Sequence, residues 1–245
     1  MRIDDGIRIA GNDFISILMI GQSNMAGRGA LDELPPIKNP DCFMLRNGRW
    51  QPMTEPINFD RALSGIKYPS GACLAASFAD ELARFTGKKV GLIPCADGGT
   101  SIEEWQPGGA LFDHALMQSR LAKRISTFAG IIWHQGEDDG DTPQNVYREK
   151  LINVMTTMRR ELQCESAPVI LGELSDKITD NFKFVNVSSH LNPVLYEIER
   201  ELPLCKVTSV KDLTLKDGVH YDIRSLRILG QRYFENDKSL IQKEI

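Results

Sequence analysis

The sequence predicts an α/β protein: a three-layer α/β/α sandwich around a five-stranded, mostly parallel sheet. Two observations lead to this fold class. Short apolar runs alternate with longer amphipathic stretches, which is the pattern of βα units. The apolar runs also lack the polar alternation of a half-exposed strand, so helices should cover both faces of the sheet. A length of 245 residues is ordinary for one such domain, and we expect a single domain over residues 1–245.

Five strands are expected from the apolar runs. Each run is rich in Ile, Val or Leu, as a strand buried on both faces requires. The predicted strands are residues 14–20, 89–95, 130–134, 168–173 and 205–210.

The amphipathic stretches between these runs predict helices. After Pro143, a residue suited to a first helical turn, the apolar side chains fall on one helical stripe. A helix over residues 71–85 has a face of small residues that lets it lie close to the sheet, and Gly87 beyond it tolerates a left-handed cap. Further helices are expected at residues 111–128, 192–202 and 223–234.

Two segments do not follow this pattern. Residues 26–69 are rich in proline, and residues 174–190 are polar and uneven. Both are expected to be long loops, which in a compact domain more often form walls or lids of a functional site than plain connections. The chain has no internal repeat or linker that would divide it.

The composition limits the classes of partner. Hydrophobic residues make up 42%, charged residues 25%, and the net charge is -4, so no basic field favours nucleic acid or an anionic membrane. A small substrate fits better, and the oligomeric state is left open. No run approaches 18 apolar residues, and the acidic N-terminus does not resemble a secretion signal. We expect a cytoplasmic protein, although a secreted protein whose signal had been removed would look the same.

The cysteines and acidic residues do not form a metal or disulfide pattern. The five cysteines are odd in number and widely spread, which argues against a disulfide framework and a zinc knuckle. His134 and Glu137 precede several aspartates, but no His-Glu-x-x-His pair occurs, and a calcium loop begun at Asp138 would place Pro143 at its glycine position. We therefore expect neither metal nor cofactor.

The polar residues of interest follow the predicted strands. In an open parallel sheet, ligands bind beyond the carboxyl ends of the strands, so these residues should meet at one edge. They are Ser23 after the first strand, Gly98 and Gly99 after the second, Gln135 and Glu137 after the third, and Asp217 and His220 beyond the fifth.

Ser23, His220 and Asp217 suit nucleophilic catalysis. A serine hydroxyl needs a base, and neutral imidazole is well matched to that task near pH 7. Asp217 lies three residues before His220, close enough for its carboxylate to reach imidazole Nδ1 and fix the tautomer. The alternative interpretation of residues 217–220 is a solvated turn before a helix.

Other residues could serve an oxyanion and a sugar. The backbone N–H groups of Ser23 and of Gly98 or Gly99, with the Gln135 amide, are candidate oxyanion donors; the glycines could instead be turn residues and Gln135 a buried amide. Trp105 offers a flat surface for a sugar ring, or is simply a packing residue. Gln22 and Asn24, beside the nucleophile, are further substrate-binding candidates.

Four blocks together resemble the SGNH hydrolases. Residues 21–28 (GQSNMAGR), 98–102 (GGTSI), 133–137 (WHQGE) and 217–220 (DGVH) are most similar to the sialate O-acetylesterase and acetylxylan esterase group, carbohydrate esterase family six. The resemblance implies a flavodoxin-like fold and metal-independent removal of O-acetyl groups from carbohydrates.

The same resemblance assigns roles to residues. It makes Ser23 the nucleophile, His220 the base and Asp217 the supporting acid, and it places Gln135 where other SGNH branches have asparagine. In some members the glutamate of the third block supports the histidine, so Glu137 is a rival to Asp217, which we favour because its position in sequence fixes its geometry.

Two alternatives to this function were weighed. The α/β-hydrolase fold requires Gly-x-Ser-x-Gly in mid-chain, whereas Met25 occupies the second glycine position here. A carbohydrate-binding protein that keeps an esterase fold without turnover is the non-enzymatic alternative. The complete set of nucleophile, base, acid and donors favours a serine esterase that acts through an acyl-enzyme on acetylated xylo-oligosaccharides or sialic acids.

Overall fold

A computed structural model describes residues 13–58, 69–179 and 186–241. Within them, one sheet of seven strands has the order β3-β2-β4-β1-β5-β6-β7. The strands are β1 (Phe14–Gly21), β2 (Cys42–Arg46), β3 (Arg49–Pro52), β4 (Lys89–Pro94), β5 (Thr127–His134), β6 (Val169–Gly172) and β7 (Cys205–Thr208). All neighbouring strands pair in parallel except β2 and β3, which are antiparallel.

Helices follow most of the strands. They are α1 (Ser23–Ala26), α2 (Leu74–Thr86), α3 (Ala110–Ala122), α4 (Gln144–Leu162), α5 (Val187–Glu201) and α6 (Ile223–Ile241). Two short 3₁₀ turns, Ile102–Trp105 and Glu137–Asp139, lie in the loops after β4 and β5. None of the helices described is long and apolar enough to cross a membrane.

Alternate residues of β1 explain why the sheet is covered on both faces. Leu18 and Ile20 join the core that contains α3, α4 and α5, whereas Ile17 and Met19 join the core that contains α2 and α6. This is the period of two that a strand imposes. The predicted three-layer α/β/α fold with a mostly parallel sheet is confirmed.

The predicted count of five strands was too low. The two additional strands, β2 and β3, form a hairpin inside residues 26–69, which we expected to be loop. Its turn is Asn47-Gly48, with φ angles of 50° and 74°, and Asn-Gly is a strong signal for such a turn. β3 is mostly polar (Arg-Trp-Gln-Pro), and prolines lie on both sides of the hairpin, so a search for apolar runs did not detect it.

Several helix boundaries differ from the predictions, including the start of α2, which is Leu74 instead of residue 71. The helix expected at residues 111–128 ends at Ala122, because the chain turns and β5 begins at Thr127. The helix α5 begins at Val187 instead of residue 192, so the end of the second predicted loop is helical, and α6 continues to Ile241. Gly87 adopts the expected left-handed cap, with φ 66° and its N–H donating to the Ala83 carbonyl.

Parts of the predictions lie outside the described residues. These are residues 1–12, on which the expectation about a secretion signal rests, and residues 59–68 and 180–185 of the two loop segments. The five cysteines are all described, and they are free thiols, four of them buried.

Candidate active site

The carboxyl ends of β1, β4 and β5 bring three loops together. Gly21 ends β1 with φ 132°, and a Cβ placed on it would lie 2.2 Å from the His134 carbonyl oxygen of β5, so only glycine allows this approach. The N–H of Gln22 donates to that carbonyl at 2.9 Å, and the N–H of Asp97 donates to Gly21 O at 2.9 Å. Ser23 therefore begins α1 at the centre of the edge, beside the loop that carries Gly98 and Gly99.

Ser23, His220 and Asp217 form a continuous hydrogen-bonded chain. His220 Nε2 is 3.0 Å from Ser23 Oγ, and His220 Nδ1 is 2.8 Å from Asp217 Oδ2. The second carboxylate oxygen, Oδ1, accepts the backbone N–H of His220 at 2.8 Å and that of Val219 at 3.2 Å. The turn fixes the carboxylate against the imidazole, in the geometry expected for residues three apart.

The environment keeps His220 neutral near pH 7. Burial lowers the pKa of His220 below its usual value; the Asp217 carboxylate opposes this, while Arg28 and Lys216 add to it. Burial would raise the pKa of Asp217, but hydrogen bonds from the His220 side chain and backbone outweigh burial and lower it. The pair therefore presents an ionised carboxylate behind a neutral base.

Glu137, the rival acid, is close to the site but faces a different residue. Its Oε1 accepts a hydrogen bond from Asn24 Nδ2 at 2.6 Å, while Asp217 occupies Nδ1 of His220. The Glu137 side chain is almost fully buried, and burial raises its pKa to about 7. The structure thus places Asp217, and not Glu137, against the histidine.

Trp105 is not placed to receive a sugar. It is fully buried, its indole N–H donates to Thr100 Oγ1 at 3.1 Å, and its ring meets Trp133 edge-on at 5.5 Å. The substrate-stacking expectation is corrected in favour of packing, since its indole ring has no face open to solvent.

Gln135 is likewise turned inward. Its amide Nε2 donates to the Thr100 carbonyl at 2.9 Å and to Asp139, and its Oε1 is 3.2 Å from the Tyr147 hydroxyl. Both amide hydrogens are therefore used, and the expected oxyanion role does not fit this geometry. Asp139 was missed by the sequence analysis; it also accepts from the N–H of Ile102 and so ties the loops after β4 and β5 together.

Gln22 and Asn24 join loops to one another instead of facing a substrate. Gln22 Nε2 donates to Asp138 Oδ2 at 2.9 Å, and its Oε1 accepts from the Gly136 N–H at 3.3 Å. Asn24 donates to Glu137. Both side chains are buried, so the expectation that they bind substrate is corrected.

Backbone N–H groups remain as candidate oxyanion donors. The N–H of Ser23 lies in the first turn of α1, where the helix offers it no carbonyl. Gly99 has φ 70°, with open space where a Cβ would be, and is exposed beside the edge. This leaves the predicted donors Ser23 and the Gly98-Gly99 pair as the candidates.

A cleft of about 370 Å³ opens beside His220. Its lining comes from residues at and next to both ends of segment 26–69, which was predicted to form a wall of the site, and from the turn before His220. It consists of Arg28, Gly29, Leu31, Pro69, Ser70, Gly71, Lys216, Asp217 and His220. Arg28 and Lys216 were missed as site residues, although Arg28 ends the first motif and Lys216 directly precedes Asp217. Within the described ranges, no group of three or more His, Cys, Asp or Glu side chains is placed to hold a metal ion.

Known proteins share this architecture. In sequence, the chain is 26% identical over 171 residues to a probable carbohydrate esterase of Arabidopsis thaliana, an alignment that covers 62% of this chain and 66%, just under two thirds, of that protein. The crystal structure of the same Arabidopsis protein superimposes with a TM-score of 0.83 at 22% identity, covering 94% of this chain and 99% of the other.

Two further structures share the fold. A carbohydrate acetylesterase from Xanthomonas citri gives a TM-score of 0.70 at 18% identity, covering 94% of this chain and 57% of that one. A lipase/acylhydrolase from Enterococcus faecalis gives 0.54 at 15% identity, covering 92% and 95%. The family model described as carbohydrate esterase, sialic acid-specific acetylesterase matches residues 14–238. The chain therefore belongs to the sialic acid-specific acetylesterase family of carbohydrate esterases.

Proposed function

We propose that this protein is a metal-independent serine esterase that removes O-acetyl groups from acetylated sugars through an acyl-enzyme. The observation that carries the proposal is the chain from Ser23 Oγ to His220 Nε2 at 3.0 Å and from His220 Nδ1 to Asp217 Oδ2 at 2.8 Å. Nucleophile, base and acid are each within hydrogen-bond reach of the next, which is the geometry that activates a serine.

The reaction has two halves. In the first, Ser23 Oγ attacks the acetyl carbonyl carbon while His220 Nε2 takes the hydroxyl proton; the C–O bond to the sugar then breaks, and His220 returns the proton to the sugar oxygen. In the second, water attacks the acetyl-serine, His220 takes a proton from the water, and acetate leaves as the proton returns to Ser23 Oγ. Asp217 stabilises the imidazolium formed in each half.

Backbone N–H groups would stabilise the oxyanion. The N–H of Ser23 and those of the Gly98-Gly99 loop are the donors consistent with the geometry, because Gln135 is engaged elsewhere. Donors fixed by the backbone need no reorganisation during the reaction, and the loss of one such donor typically costs about a hundredfold or more in rate.

The charge of the cleft favours an acidic sugar. Arg28 and Lys216 both line it, and the one carboxylate in the lining, Asp217, is hydrogen-bonded to His220. Both cations act on His220 as positive charges. A sugar that carries a carboxylate would be attracted to this side of the nucleophile, whereas a neutral xylo-oligosaccharide would gain nothing from it. We therefore place acetylated sialic acids ahead of acetylated xylo-oligosaccharides as the substrate class.

The direct test is acetate release, measured with EDTA present, from p-nitrophenyl acetate, O-acetylated sialic acids and acetylated xylo-oligosaccharides. Wild type would be compared with Ser23→Ala and with Ser239→Ala, a matched serine variant at an exposed position of α6. Release that survives EDTA and Ser239→Ala but is lost in Ser23→Ala supports the proposal. Equal rates in Ser23→Ala and wild type would remove Ser23 from the mechanism.

A further inference from the structure

The side chain of Asn24 holds the backbone on both sides of His220. Its Nδ2 donates to the Val219 carbonyl at 3.1 Å, and its Oδ1 accepts the Tyr221 N–H at 3.2 Å. Val219 and Tyr221 are the two sequence neighbours of His220. One buried amide, next to the nucleophile in sequence, therefore joins α1 to the turn that carries the base.

The orientation of that amide is set by Glu137. Oε1 of Glu137 accepts from Asn24 Nδ2 at 2.6 Å, and a carboxyl oxygen that carries no proton can only accept. The Val219 carbonyl also needs a donor, and the Tyr221 N–H needs an acceptor. Glu137, the Val219 carbonyl and the Tyr221 N–H all favour the same orientation of the Asn24 amide. Of these three partners, Glu137 is the one that acts through its side chain.

Glu137 is costly to bury, and in the described part of the chain Asn24 is the one side chain that donates to its carboxyl; the other donor is its own backbone N–H. Its Oε2 has no hydrogen-bond partner there. His134 Nε2 lies 3.8 Å from Oε1, but burial lowers the pKa of His134 to about 3, so the two do not form an ion pair. A buried carboxylate without a cation is destabilising, so a role in packing alone would be served better by an apolar side chain.

We infer that Glu137 is a positioning residue for the base: it fixes the amide of Asn24, which holds the two peptide groups that flank His220 so that Nε2 faces Ser23. The inference rests on the proposed serine mechanism and assigns Glu137 a role that does not involve contact with the histidine. We refer to the pair Glu137–Asn24 as the amide clamp.

The clamp predicts a specific pattern among variants. Glu137→Ala should lower kcat by roughly 10- to 100-fold, the order expected when a catalytic group is displaced by less than about 1 Å, with KM changed by less than about threefold. Glu137→Gln should remain within about fivefold of wild type, because an amide oxygen can still accept from Asn24. The double variant Glu137→Ala/Asn24→Ala should be no slower than Asn24→Ala, because residues that act in series are not additive.

Hydrogen exchange gives a readout that does not depend on turnover. The Tyr221 N–H is held by Asn24 Oδ1, so its exchange should accelerate in both Glu137→Ala and Asn24→Ala, and should stay near wild type in Glu137→Gln. Thermal unfolding of each variant, measured in parallel, shows whether the protein is folded. Glu137→Gln keeps the shape of the side chain and tests the inference even where Glu137→Ala does not fold.

Three outcomes would overturn the clamp: additive losses in the double variant, a loss in Glu137→Gln as large as in Glu137→Ala, or unchanged Tyr221 exchange in a folded Glu137→Ala. The second outcome would mean that the charge of Glu137 acts on His220 directly. The activity of Ser23→Ala distinguishes a failure of the proposed serine mechanism from a failure of the amide clamp. An active Ser23→Ala defeats the proposed mechanism, whereas an inactive Ser23→Ala with additive losses defeats the clamp alone.

Discussion

Replacing Asp217 with asparagine should impair catalysis through the tautomer of His220. In the native turn, Oδ1 accepts two backbone N–H groups, from Val219 and His220. An asparagine would keep its oxygen there, since only the oxygen can accept. Its NH₂ group would then face His220 Nδ1, which must become an acceptor, and the ring proton would move to Nε2, facing Ser23. A histidine protonated at Nε2 cannot take the serine proton.

The size of the expected loss in kcat depends on how exposed the Asp217 and His220 side chains are. The same exchange in a fully buried triad lowers kcat by about 10⁴. Here the Asp217 side chain is 41% exposed and that of His220 22%, so water can partly relieve the wrong hydrogen bond. We expect a loss in kcat of roughly 10²- to 10³-fold, or about 3 to 4 kcal/mol in activation free energy, with thermal stability changed little.

Asp217→Ala is the informative control. It removes the carboxylate but introduces no donor that enforces the wrong tautomer, so it should be at least as active as Asp217→Asn. Steady-state hydrolysis of p-nitrophenyl acetate near pH 8 measures both variants, and ¹⁵N chemical shifts of the imidazole report the tautomer. An asparagine variant within tenfold of wild type, or clearly faster than the alanine variant, would refute the reasoning.

Four other predictions follow from the structure. Burial lowers the pKa of His220 below 6.5, so kcat/KM should rise with pH as His220 becomes neutral and reach half its plateau value below pH 6.5. A flat pH profile from about pH 5 to 8 would contradict the role of His220 as the base. Lys216→Ala should lower kcat/KM for O-acetylated sialic acids by about 3- to 10-fold, as expected for the loss of one charged contact. It should not lower kcat/KM for p-nitrophenyl acetate. Lys211→Ala, which removes a charge outside the cleft, is the control. Trp105→Ala should cost about 3 to 5 kcal/mol in the free energy of unfolding, measured with urea, without altering KM of the folded fraction. Burial raises the pKa of Asp237 to about 7, above its unfolded value, so the native state loses stability as pH rises from about 4 to 7. Asp237→Asn should therefore stabilise the protein at pH 8 and have little effect at pH 4. Equal effects at the two pH values would show that the carboxyl does not titrate as described.

The sequence predicted those parts of the fold that depend on local pattern. The five predicted strands are mostly apolar runs, and Gly87 ends α2 as its conformational freedom suggests. The hairpin of β2 and β3 was missed because β3 carries polar residues and a proline instead of an apolar run. Its place in the sheet is set by the pairing of β2 with β4, a partner distant in sequence. Helix ends such as Ala122 depend on where the next strand joins the sheet, which local pattern does not determine.

In the candidate site, too, the sequence predicted what local geometry determines and failed where contacts between loops decide. The sequence predicted that Asp217 and His220 lie together because the turn between them fixes their geometry, and that Ser23 lies beside them because strand ends meet at one edge. The direction in which Gln135 and Trp105 point could not be predicted. It depends on how the loops after β4 and β5 fold against each other and on the Tyr147 hydroxyl of α4. Polar residues beside a nucleophile can face the substrate or hold the loops, and sequence position does not distinguish the two.

The buried amides therefore have a common task. Gln22 joins the nucleophile turn to Asp138, and Asn24 joins it to Glu137. Gln135 lies in the same loop as Asp139 and joins that residue to the Thr100 carbonyl of the loop after β4. Each of the three acidic residues at Glu137–Asp139 thus accepts a hydrogen bond from one side-chain amide, and these bonds hold the loops after β1, β4 and β5 together. Because this network does not reach the cleft, its loss should lower kcat and leave KM nearly unchanged. Charges that line the cleft should instead alter kcat/KM only for substrates that carry the matching group. A network variant such as Gln22→Ala that raised KM selectively for one sugar would show that these amides contact the substrate after all.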